Sequence, residues 1–67
     1  MNIMTYIVKI FNVYGGTEIA RFEDELACAT FAWCLHEKVR NGPELASVTI
    51  QDQDGKDVWN EVMRNPA

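Results

Sequence analysis

Four groups of residues carry the chemical types used in catalysis or binding: Cys28, Cys34 and His36; Glu23-Asp24-Glu25; Asp52, Asp54 and Asp57 around Gly55; and the aromatic pair Phe11 and Trp59. A thiol beside an imidazole suits a nucleophile or a metal ligand. Structural zinc, however, needs four ligands at characteristic spacings, and His36 is the only histidine. Cys34 and His36 are two positions apart on an expected helix and do not face each other. No third group orients the imidazole, as a Cys–His pair would need. Cys28 and Cys34 are six positions apart on that helix. With about 3.6 residues per turn they point to largely opposite sides and cannot form a disulfide with each other. Free thiols suit a reducing cytosol.

Asp52, Asp54 and Asp57 share part of a calcium-loop pattern. The full pattern needs further ligands and a bidentate glutamate, so these residues are read as turn chemistry. Glu23-Asp24-Glu25 can cap a helix, and can also offer an anionic contact to a basic target. The chain contains no nucleophile elbow, phosphate loop, dinucleotide fingerprint or paired metal-site motif. So short a chain could hardly enclose a substrate pocket of ordinary volume. The expectation is a non-enzymatic protein without cofactor or metal.

Charge narrows the classes further. The net charge is −4, with six basic residues scattered along the chain. Binding to nucleic acid needs clustered lysine and arginine that displace counterions, so direct nucleic-acid binding is not expected. An acidic chain suits a basic protein surface, such as that of a nucleic-acid-handling host protein. No segment has the length and apolarity of a transmembrane helix, and the N-terminus has no basic-then-apolar leader. A cytoplasmic protein is expected.

The elements that would position these residues follow from pattern. Residues 1–67 make a single domain. Strand 1 is expected over about 3–14, apolar on both faces: Tyr6, Val8 and Ile10 on one, Ile7, Phe11 and Val13 on the other. Gly15-Gly16 reads as the hairpin turn, with strand 2 over about 17–23. Pairing Tyr14 with Glu18, with a bulge at a glycine, makes the faces agree and sets Lys9 opposite Glu23. Ile19 then joins Ile7, Phe11 and Val13.

The helix is expected over about 24–41. Asp24 caps it, Glu25 sits in its first turn, and Asn41-Gly42-Pro43 stops it. Ala27, Cys28, Phe31, Cys34, Leu35 and Val39 form a stripe for the Tyr6/Val8/Ile10/Phe22 face. Strand 3 is expected over about 45–52 and strand 4 over about 56–63, joined by a type I turn with Gly55 in the left-handed position. Val58, Trp59, Val62 and Met63 also fit helical spacing. The Asp-Gly turn and the β-branched residues favour a strand, which turns Trp59 to the far face. The tail Asn65-Pro66-Ala67 is expected to fray. The architecture is thus α+β: a two-layer ββαββ fold, with a four-stranded antiparallel sheet in the order 2-1-3-4 and one helix on one face.

One helix cannot cover both faces of a sheet, and a chain near 60 residues buries only about 60% of its unfolded surface. Surplus apolar surface of this kind, rimmed by charge, is typical of a protein interface. In size and layout the chain is similar to small inhibitors encoded by phages and other mobile elements, some anti-CRISPR proteins among them; no particular residue carries that likeness. It implies a bacterial host cytoplasm and action by steric occlusion of a host protein. Phe11, Ile19 and Trp59, with Ile7 and Val13 around them, are the expected apolar anchors, and Glu23, Asp24 and Glu25 the steering charges. A homodimer is expected alongside such a partner; a self-associating structural subunit, its outer sheet face used up in the homodimer, is the alternative. Stacking of single-stranded nucleic acid on Phe11 and Trp59 is a third reading.

Overall fold

The computed structural model describes residues 4–64; Ile3 of the expected first strand and the tail 65–67 lie outside the described residues. The chain runs β1 (Tyr6–Asn12), β2 (Gly15–Phe22), α1 (Glu25–Arg40), β3 (Ser47–Gln51) and α2 (Trp59–Met63). It is an α+β fold with one main helix packed on an antiparallel sheet. The sheet has three strands in the order β2-β1-β3 rather than four.

The main helix forms where its signals lie. The Asp24 carboxylate accepts from Leu26 N–H at 3.1 Å, which satisfies a backbone donor that the first turn leaves free. Asn41 closes the other end, its side-chain amide donating to Glu37 O at 2.9 Å. The packed stripe is rotated from the expected one. Cys28 and Ala32 are buried, with Ala29, Leu35 and Val39 packed around them. Ala27, Phe31 and Cys34 turn outward. Small residues at the two buried positions let the helix lie close on the sheet, and the bulky Phe31 is left to lean on Phe22 at its edge, with ring centroids 5.3 Å apart. The sheet supplies Tyr6, Val8, Val48 and Ile50 to the core.

The hairpin departs from its expected register. The turn is at Val13-Tyr14, not Gly15-Gly16, so β1 ends at Asn12 and β2 begins at Gly15. Asn12 Oδ1 accepts from Tyr14 N–H at 2.8 Å and shapes the bend. Gly15 follows at φ 121°, a conformation open to glycine. Lys9 therefore pairs with Glu18, not Glu23. The bulge lies at Ile19, between the Lys9↔Glu18 and Val8↔Ala20 pairs. That extra residue brings Glu18 and Arg21, three apart, onto one face. Arg21 Nε donates to Glu18 Oε2 at 2.6 Å and Nη2 to Oε1 at 3.0 Å. Arg21's hydrogen bonds hold the Glu18 carboxyl below the usual range; on so open a surface the pair adds little stability.

The expected fourth strand begins and then fails. Asp52 N–H donates to Lys56 O at 2.9 Å, and Val58 N–H to Ile50 O at 2.8 Å. This single bridge, Gln51↔Asp57, is all that forms. The Asp57 carboxylate then accepts from Trp59 N–H at 2.9 Å and starts α2. Helical spacing buries Val58 and Val62 together, which a strand with alternating faces does not improve. The turn itself forms as expected, with Gly55 at φ 84°. Asp52 organises it: its Oδ1 accepts from Asp54 N–H at 2.9 Å and Lys56 N–H at 3.0 Å. Asp52→Ala should lose both bonds and lower stability by about 1–3 kcal/mol, read as a reduced urea midpoint. An unchanged midpoint would show that the turn holds without the carboxylate.

No helix among the described residues is long and apolar enough to cross a membrane.

Candidate functional site

The face of the sheet away from α1 is expected to be an apolar patch with charges at its rim. Register shows what occupies it. Ile7 lies between Arg21 and Gln51, Lys9 between Glu18 and Thr49, and Phe11 between Gly16 and Ser47. Strand β1 contributes Ile7 and Phe11 as expected, but its neighbours are polar. The shifted turn removes Val13 from this face, and Ile19 is the unpaired bulge residue. Trp59 is on the other side of the molecule altogether, half-buried on α2 and packed on the core. It was placed outward by the strand that does not form.

The most exposed apolar side chains gather instead at the hairpin end, while Leu26 and Trp33 stand exposed on α1. Phe11 is 36% exposed, Val13 78%, Tyr14 95% and Leu45 86%. Val13 and Leu45 border one shallow hollow with Phe11 and Ser47, and another with Tyr14 and Glu44. Two chain features hold this group together. The Asn12-supported turn projects Val13 and Tyr14, and the antiparallel pairing of Phe11 with Ser47 brings the start of β3 beside them. The Phe11 ring lies over Gly16, where a Cβ would meet its Cζ at 2.8 Å. A side chain at that position would displace the ring, so Gly16 seats it.

Of the expected anchors, Phe11 and Val13 belong to this group. Ile7 and Ile19 lie further along the sheet, and Glu23, Asp24 and Glu25 stand at its opposite end, beyond the Tyr6↔Phe22 pair. Asp24 is engaged as the helix cap. Tyr14 and Leu45, expected within strands, lie outside them and are exposed. The signal was Asn12 two residues before Tyr14, with glycine after it, which marks a side-chain-supported turn.

A second cluster lies where α1 and α2 meet. His36 is half-buried between two indoles, its ring centroid 5.3 Å from Trp33 and 5.5 Å from Trp59. Among the described residues no group of three His, Cys, Asp or Glu could hold a metal ion.

The two thiols differ. Cys34 is exposed and Cys28 is buried in the core. Burial, aided by the Glu25 charge, pushes the Cys28 thiol up to about 11 from 9.0. A thiol-specific disulfide reagent at pH 8 should modify Cys34 at once and Cys28 only after unfolding; two thiols reacting at one fast rate would contradict this placement. A raised thiol pKa supports the fold fully below about pH 9 and loses that support as pH rises through about 11. Tyr6, also raised by burial and by Glu25, acts in the same direction.

The sequence matches no family model, and no curated protein or solved structure is significantly similar to it.

Proposed function

We propose that this chain is a small, acidic, non-enzymatic protein-binding module that docks through its hairpin end and acts by covering its partner's own binding surface. The observation that carries this reading is the exposure of Val13, Tyr14 and Leu45 side by side, with Phe11 beneath them. Large apolar side chains grouped in this way mark interaction sites. Tyrosine is enriched where binding energy concentrates. Glu44 at the rim and the net charge of −4 favour a partner whose apolar pocket has a basic border.

The homodimer through the outer sheet face has less support, since Lys9, Glu18, Arg21, Thr49 and Gln51 cross it. Charged residues are depleted from the centres of interfaces. Nucleic-acid stacking on Phe11 and Trp59 also loses its basis, because the two aromatics lie on different sides of the sheet.

Affinity capture from a bacterial lysate tests the proposal when wild type is compared with the double variant Tyr14→Ser/Leu45→Ser. Both side chains are exposed, so the variant should fold. Wild type should retain a partner that the variant loses at least tenfold. An identical set of retained proteins would remove the hairpin end as the docking site.

A further inference from the structure

In an antiparallel sheet the backbone groups of an edge strand alternate, one residue facing its neighbour and the next facing outward. Ile50 and Asp52 face outward, since Ile50 O accepts from Val58 N–H and Asp52 N–H donates to Lys56 O. Val48 is the next outward-facing residue in β3. Among the described residues nothing pairs with it there, because the chain has left the edge to form α2. Beside it runs a groove of about 770 Å³, walled by Ser47 and Thr49 on β3, His36 and Arg40 on α1, and Trp59 and Glu61 on α2.

We infer that this edge accepts an extended segment of another protein as a fourth strand, collinear with Lys56–Val58 and antiparallel to β3. Backbone hydrogen bonds to Val48 would supply affinity. The guest residue opposite Val48 shares its face and points into the groove beside His36 and Trp59, so a large apolar side chain fits there. The guest's N-terminal end meets Asp57 and Glu61, which also line the groove; a lysine or arginine at that end is the complementary charge. A second copy of this chain fits poorly. It would offer the same edge, whose N-terminal flank, residues 42–46, holds Glu44 and no lysine or arginine to meet Asp57 and Glu61. The net charge of −4 opposes it as well. The groove adjoins the hairpin-end hollow at Ala46 and Ser47 but shares none of Val13, Tyr14 and Leu45, and the inference does not depend on that reading.

The test uses the full chain and phage-displayed random dodecapeptides, the selected sequences being remade as synthetic peptides. Expected binders carry an apolar residue with a basic residue N-terminal to it, and at saturation slow hydrogen exchange at the Val48 amide at least tenfold. Val48→Pro removes that outward N–H without touching a bond to β1, and should weaken binding at least tenfold. Tyr14→Ser/Leu45→Ser should bind the same peptides unchanged. The exchange measurement on wild type stands even if Val48→Pro does not fold. Three results would overturn the inference: no peptide selected above background, binders that leave Val48 exchange unaltered, or Val48 protection that appears with rising protein concentration alone.

Discussion

Ile50→Ala should lower stability by about 2–5 kcal/mol, the range for truncating a buried isoleucine. Ile50 is fully buried near the C-terminal end of β3 and pairs with Val8, itself fully buried. Its carbonyl also anchors Val58, so the cavity would open where sheet, α1 and α2 meet. Among the described residues the fully and nearly buried core is eight side chains, four of them on the sheet. At about 0.05–0.15 kcal/mol per residue, a chain of this length has only roughly 3–10 kcal/mol in total. The variant is therefore expected to be largely unfolded at 37 °C, and its urea midpoint should fall by more than half. A midpoint within a tenth of wild type would mean that the core lies elsewhere.

The second large effect concerns Trp59. Had it stood on an open sheet face, Trp59→Ala would have left the fold untouched. In the structure its indole packs against the core and beside His36. It is half-buried, so the cost should lie below the 3–5 kcal/mol of a fully buried tryptophan, at about 2 kcal/mol. Thermal unfolding by circular dichroism should show a lower midpoint, with α2 no longer held against α1. A variant as stable as wild type would return Trp59 to the surface.

The contrast between these residues shows what the sequence made legible. Helix α1 was readable almost to the residue, because its signals are local: Asp24 at one end, Asn41-Gly42-Pro43 at the other, and a good helix-forming run between. The Asp52–Lys56 turn was readable for the same reason, since Asp52 and Gly55 determine it within five positions. The hairpin register was not. Two glycines are a strong turn signal, but Asn12 bends the chain two residues earlier and uses Gly15 as the residue that leaves the turn. A shift of that size moves Val13 from a sheet face to a loop tip. The last element was ambiguous at its source. Val58 and Val62 suit either period, and one side-chain bond from Asp57 decides for the helix. Both differences concern the candidate surfaces: the shifted turn exposes Val13 and Tyr14, and the missing strand leaves the β3 edge open. Surplus apolar surface is present, most exposed at the hairpin end and not continuous across the sheet.

Sedimentation equilibrium on the purified chain over two decades of concentration asks most simply whether that end is kept for a different protein. A single species of 7.7 kDa at every loading is the expected result. A stable dimer that Tyr14→Ser/Leu45→Ser returns to monomer would contradict it, because the exposed side chains would then already be spent on a second copy.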